Sequence, residues 1–292
     1  MHCEKNGRER DGIEKLLITF LNSPSTRKNT LLLLLDMIPF GHHPFPYIER
    51  VKDPASRFQL RQNYSETLNE TKLKYDLHRF LRNSRGNIDL EVGSFLISRL
   101  SDNHEITPEK FSHSLDLLYN PLIKILAGYP DNSIEKIRVF SEFLFNEKKF
   151  RGNTDDYYAP SNSFLSDIIE TGLGNPVSLS VLSILIARRA GITLRGVNMP
   201  GHFILRFDPG DGVVFLDPFN GGKILSEKEY TMLLIDSGID PSPHFFSAVG
   251  NIVILKRMYR NLINYHSVEG DYRKEMTLRQ HFSILEDSSL SH

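Results

Sequence analysis

The chain has a single cysteine, Cys3, in 292 residues. No disulfide can form within it, and such sparse cysteine usage fits a reducing, cytoplasmic compartment. Long apolar runs are also lacking. The longest stretch of leucine, Leu31 to Leu35, falls far short of the roughly 20 residues that span a bilayer, so no membrane role is expected. Residues Met1 to Asp11 are charged and lack the apolar stretch of a signal peptide. Neither charge is in excess: 35 Lys+Arg stand against 36 Asp+Glu, for a formal net charge of −1. Bulk charge therefore gives no support to nucleic-acid binding. Pro200-Gly201-His202 and Gly221-Gly222 lack the spacing of a phosphate-binding loop, and no cofactor is expected. His42 and His43 cannot share a face of a helix or strand and have no carboxylate or thiol cluster nearby, so they read as a surface loop and no metal is expected.

What is present is an ordinary balance for a globular chain, 40% hydrophobic and 24% charged, enough to bury a core without disulfides or metals. The length fits one main domain with helical additions. Up to about Gly128 the patterning is helical. Gly12–Leu21 and Thr30–Ile38 are apolar helical segments, Pro54–Asn83 is one long helix or two, and Thr107-Pro108 caps and starts another that Pro121 should kink or divide. Ser133–Glu147 is a further helix. After Gly174-Asn175-Pro176 comes an apolar helix to Arg189, and then the mode changes. Thr193–Asn198, His202–Phe207 and Val213–Asp217 read as short strands, and Ser226 to Glu229 form a capping box. Two last helices flank Glu269-Gly270-Asp271. Helices first and strands later argue for an α+β fold.

The chemistry-bearing residues gather in the second half. Asn175 is a good N-cap and Pro176 suits the first helical position. A cysteine at such a helix start would have a lowered pKa, but the position holds proline, which offers no nucleophile. Asp208-Pro209-Gly210-Asp211 reads as a tight turn. A hairpin centred between Pro209 and Gly210 would set His202 directly opposite Asp217, with Cβ atoms about 4.5–5.5 Å apart. The carboxylate would then fix the imidazole tautomer and raise its basicity, whereas a slip of one residue would separate the two onto opposite faces.

Phe150-Arg151-Gly152-Asn153, Tyr157-Tyr158, Asn162-Ser163, Gly174 to Ser180, Ala187 to Ile192, Pro200 to Phe203 and Asp217 to Gly222 stand in an order that resembles the SirB family of the transglutaminase-like superfamily. The resemblance runs from about Ile88 to about Asp287. It implies a transglutaminase-like or papain-like core, one helix packed on a small antiparallel sheet, followed by tetratricopeptide-like helices. It also implies that His202 and Asp217 match two members of a cysteine–histidine–aspartate triad, with Pro176 at or beside the cysteine position. Sequences of this type commonly lack the cysteine.

The resulting domain expectation is a helical region 1–87, a transglutaminase-like domain 88–249 and a C-terminal helical hairpin 250–292. Two functions are compatible with it. One is a module that binds a peptide or protein partner without catalysis, with Asn175, Ser178, Ser180 and Asn220 around His202 and Asp217. The other is a hydrolase or acyltransferase that uses His202 and Asp217 with an unusual nucleophile or an activated water. A weaker third is a helical scaffold whose C-terminal hairpin binds a partner. Ser178 and Ser180 read mainly as helix-interior serines bonded to backbone. Arg188-Arg189 and Lys256-Arg257 read as ordinary solvated charges on helix faces, and the turn at Asn220-Gly221-Gly222 calls for positive φ.

Overall fold

A computed structural model describes residues 2–101, 106–131, 133–210 and 212–290, with side chains from 11 onward and up to 287. Asp211 of the expected turn and the side chain of Cys3 lie outside the described residues. The helices α1 His2–Asn22, α2 Arg27–Met37, α3 Phe45–Ile48, α4 Pro54–Asn63, α5 Ser65–Ser84, α6 Leu90–Ser98 and α7 Pro108–Leu126 come first. Next, α8 Ile134–Ser141 runs into a π-helical segment, Glu142–Glu147. The remainder is β1 Arg151–Gly152, α9 Leu165–Thr171, β2 Leu173–Gly174, α10 Pro176–Arg189, β3 Arg195–Met199, β4 His202–Phe207, β5 Val214–Asp217, β6 Lys223–Ser226, α11 Glu227–Asp236, α12 Asn251–Val268 and α13 Tyr272–Leu290.

Capping side chains set many of these boundaries. Asp53, Asp89, Thr107, Ser133, Asn175 and Ser226 each accept a backbone N–H from the first turn of the helix they precede, satisfying donors with no partner inside the helix. The segment 54–83 divides into two helices at Tyr64. By contrast α7 passes through Pro121 without dividing. Buried Phe111 and Leu115 before the proline, and Leu122 and Leu126 after it, hold both halves to one core and outweigh the missing hydrogen bond.

Four strands form one antiparallel sheet in the order β3-β4-β5-β6, and β1 and β2 make a separate parallel pair. Strands β1, β2 and β6 have only two to four residues each, too few for alternation to announce them. The hairpin register differs from the tight-turn expectation. Leu216 lies opposite Leu205 rather than Phe203, and the last rung is Phe207 with Val214. The connection is therefore wider than a two-residue turn, and Arg206 clamps Asp208 at its mouth, 2.7 Å from Nη2 to Oδ1. A slip of two residues keeps each side chain on its face, since side chains alternate with period two.

The main core joins Leu77 of α5, Phe95 of α6, Leu115 of α7, Phe140 of α8, Leu182 of α10, Phe203 of β4, Met258 of α12 and Leu285 of α13. A second cluster joins Leu17, Leu34, Leu60 and Leu68. A third lies between the sheet and α11, around Ile204, Phe215 and Tyr230. Because α5 places Leu68 in one cluster and Leu73 and Leu77 in another, the N-terminal helices are tied to the rest of the chain.

That junction contains a buried ionic network. Asp76 accepts from Lys72 Nζ at 2.5 Å and from Arg99 Nη1 at 2.9 Å, and its Oδ2 also takes the Gly41 backbone N–H at 3.1 Å. His43 belongs to this network: its Nδ1 is 2.7 Å from Asn69 Oδ1, and it is 5% exposed. The surface-loop expectation is thus wrong for His43, which the loop folds inward against Arg99.

Candidate functional site

Pairing between β4 and β5 stops at Leu205 and Leu216, so His202 and Asp217 lie beyond the last rung, where the strands part. They stand diagonally rather than directly opposite. Cross-strand diagonals are within reach of an imidazole, and His202 Nε2 lies 2.9 Å from Asp217 Oδ2. Asp217 also accepts Asn220 Nδ2 at 2.8 Å and the Asn220 backbone N–H at 3.3 Å. Its side chain is 3% exposed, that of His202 17%. Burial pushes the Asp217 carboxyl up, but the hydrogen bond and electrostatic attraction of His202 and the two bonds from Asn220 outweigh it and hold the group below its ordinary value. An ionised Asp217 can only accept, so Nε2 carries the proton and the Nδ1 lone pair is turned away from the carboxylate. Among the described residues, no group is hydrogen-bonded to that Nδ1.

A support builds the turn after Asp217. Gly221 and Gly222 both have positive φ, 68° and 71°, as the turn requires. Ser141 Oγ donates to the Gly222 carbonyl at 2.6 Å. A Cβ on Gly222 would come 2.0 Å from Phe145 Cδ2 and 2.3 Å from Ser141 Oγ. The end of α8 and its π-helical continuation thus fix Gly222, the turn fixes Asn220, and Asn220 fixes Asp217.

Phe219, in the same turn, forms a wall. Its ring is edge-on to His202 at 6.0 Å and to Tyr157 at 5.7 Å, and Tyr157 meets Tyr158 at 5.0 Å. Gly152 makes room for it: a Cβ there would lie 2.5 Å from Phe219 Cε2. Phe219, Tyr157 and Gly152 were given no role by their spacing, because only the folded chain brings β1, the 153–163 segment and the end of β5 together.

The start of α10 is closed by its own polar groups. Asn175 Oδ1 accepts the Ser178 N–H at 3.0 Å, and Asn175 Nδ2 donates to Ser163 Oγ at 2.9 Å. Ser178 Oγ donates to the Asn162 carbonyl at 2.5 Å and accepts the Asn175 N–H at 3.1 Å. Ser180 Oγ is directed to the Phe203 carbonyl at 3.5 Å, long for a hydroxyl, so it turns to the neighbouring strand rather than to its own helix. Both serines are at 0% exposure, and neither hydroxyl is hydrogen-bonded to His202. Pro176 holds the first position of α10, which contains no cysteine. Beside this helix start lies a small cavity of about 80 Å³, edged by Tyr157, Tyr158, Ser163 and Asn175 on one side and by Asn261 and Tyr265 of α12 on the other. His202 is outside its lining.

Arg188 is exposed, as the solvated reading has it, while Arg189 and Arg257 depart from that reading. Arg189 bonds Glu91 and Asp116, each at 2.8 Å, and Arg188 reaches Glu91 at 2.6 Å, so they tie α10 to α6 and α7. Arg257 is partly buried, because α12 lies across the body of the fold. Among the described residues, no three His, Cys, Asp or Glu side chains are grouped to hold a metal, and no helix is long and apolar enough to cross a membrane.

A helix packed along a small antiparallel sheet, with a histidine and an aspartate joined where two strands part, is the framework of a transglutaminase-like domain. The family model described as the transglutaminase-like superfamily matches residues 109–260, and the chain belongs to that superfamily. A UPF0162 protein of Xylella fastidiosa is 41% identical over 119 residues, 38% of this chain and 42% of that protein. F-box only protein 21 of Homo sapiens is 32% identical over 153 residues, 50% of this chain and 23% of that protein. A UPF0162 protein of Pseudomonas aeruginosa is 30% identical over 128 residues, 43% of this chain and 47% of that protein. The chain therefore spans less than half the length of these curated relatives. No solved structure matches it.

Proposed function

We propose that the chain is a SirB-type transglutaminase-like module that binds a peptide or protein segment without acyl transfer, with Pro176 in the place of the nucleophilic cysteine. His202 and Asp217 are the retained pair, and Asn175, Ser178, Ser180 and Asn220 are the polar frame of the binding site. The observation that carries this reading is the start of α10. Its first residue has no nucleophilic atom, the Ser178 hydroxyl is bonded to the Asn162 carbonyl, and the Ser180 hydroxyl is buried and turned toward the Phe203 carbonyl. In the same reading, residues 1–87 are a helical region, 88–249 the transglutaminase-like domain and 250–292 a tetratricopeptide-like hairpin, in a cytoplasmic protein.

The test is to pass a random short-peptide library over the immobilised full chain, with His202→Ala alongside. Retention of peptides by the wild type that weakens about 10-fold in the variant supports the reading, and a library that passes through unretained overturns it. One observation favours a second reading: the Nδ1 of His202, turned away from an ionised Asp217 and without a hydrogen-bond partner among the described residues, has the form of a general base. Hydrolysis of an activated ester that disappears in His202→Ala would establish a hydrolase or acyltransferase working through activated water.

A further inference from the structure

Three inward arginines are paired with carboxylates, whereas Arg257, like Arg27 and Arg79, is partly buried and, among the described residues, is not. Arg99 holds Asp76, Arg189 holds Glu91 and Asp116, and Arg206 holds Asp208. Arg257 is partly buried and has no carboxylate among the described residues. Its electrostatic neighbours are Tyr157 and Arg260, neither of them an anion, and burial holds its pKa below the ordinary value. A guanidinium withdrawn from water without an anion has lost solvation that nothing inside the chain restores.

Its place in the fold gives that cation a purpose. Residues 257, 261 and 265 follow one another at four-residue intervals, so they share one face of α12. Asn261 and Tyr265 edge the cavity beside the start of α10, and Arg257 extends the same face one turn toward the start of α12. Tyr157 lies between: it edges the cavity, is the electrostatic neighbour of Arg257, and touches the Phe219 ring that meets His202. Among the described residues, the side-chain amides of Asn261 and Asn264 and the hydroxyls of Tyr157 and Tyr265 have no hydrogen-bond partner.

We propose that this groove is a carboxylate-binding subsite of the peptide site, with Arg257 as the anchor. The inference rests on the peptide-binding reading above and names the chemistry that reading leaves open. The planar guanidinium fork matches a carboxylate in two parallel hydrogen bonds. A cavity of about 80 Å³ admits a chain end or one acidic side chain, not the face of a folded protein. Asn261 then reads the adjoining peptide amide, and the chain leads away past Tyr157 and Phe219 toward His202.

Three fluorescent short-peptide pools, titrated into the full chain and followed by anisotropy, test this. One pool has a free C-terminal carboxylate and no acidic side chain, the second is amidated and neutral, and the third is amidated with one glutamate. At least one acidic pool is expected to bind about 10-fold more tightly than the neutral pool, and which one does so identifies the source of the carboxylate. Arg257→Gln should abolish the preference while leaving the neutral-pool affinity unchanged, and Arg257→Lys should restore part of it. Thermal stability gives a second readout: Arg257→Gln should be as stable as the wild type or more so, since it removes a desolvated charge. Equal affinity for all three pools, or a preference that survives Arg257→Gln, overturns the subsite alone. A marked fall in stability, or failure of the variant to fold, overturns it by making Arg257 structural. No binding of any pool overturns both this inference and the peptide-binding reading.

Discussion

Asp217 and Gly222 show how individual residues hold the site. The charge of Asp217 is kept in a buried position by His202 and Asn220, and it in turn selects the His202 tautomer. Gly222 serves that arrangement from a distance. Its φ of 71° belongs to the left-handed region, where any other L-residue costs about 1–2 kcal/mol. The approach of Phe145 and Ser141 adds overpacking worth about 1–3 kcal/mol. Gly222→Ala should therefore lower the unfolding free energy measured in urea by the sum of these. It should also broaden or shift the His202 ring signals in NMR, because the turn carrying Asn220 moves. Unchanged stability and unchanged His202 signals would refute this chain of support.

The start of α10 is the clearest case at the scale of an element. One asparagine caps the helix and ties it to the 153–163 segment through Ser163, and Ser178 completes the capping box while also bonding Asn162. Asn175→Ala removes the cap, for which about 0.5–2 kcal/mol is the usual loss, and leaves the Ser163 hydroxyl without its donor. Hydrogen exchange should quicken at the Ser178 amide and stay slow at the middle of the helix. Equal acceleration along α10 would mean that the cap does not act locally. The π-helical segment after α8 belongs to the same scale: such distortions are frequent near functional sites, and here the segment supplies Phe145 against Gly222.

Over the whole molecule, the main apolar cluster shares α5 with the second cluster and the sheet with the third, and the last helix closes the main one. Within that closure His281 of α13 is 1% exposed, and its Nδ1 has no hydrogen-bond partner. Burial, with Lys74 and His78 nearby, pushes its pKa from 6.5 to about 4. The folded state thus resists protonation that the unfolded chain accepts. The stability from keeping His281 neutral is complete above pH 6.5 and is lost as the pH falls toward about 4. The loss is on the order of 3 kcal/mol, at 1.36 kcal/mol per pKa unit. Urea unfolding measured across that window should show the decline in the wild type and a shallower one in His281→Leu. Parallel curves would rule out His281 as a source of acid sensitivity.

The sequence by itself determined what depends on near neighbours. Asn175 and Ser226 announced their helices because a cap acts within one turn, and His202–Phe207 announced a strand through its run of strand-forming residues. The joining of His202 to Asp217 was legible through alternation, which a two-residue slip leaves intact. The tertiary structure decided what depends on distant segments. It set the register, because the loop from Asp208 to Val213 and the Arg206 clamp govern where pairing begins. It placed His43 inside and Arg257 partly so, because burial of a residue on a polar loop or a mixed helix face is settled by whatever packs over it. It also assembled Phe219, Tyr157 and Gly152 into one wall from three stretches of chain, a contact between side chains far apart in sequence that no local propensity encodes.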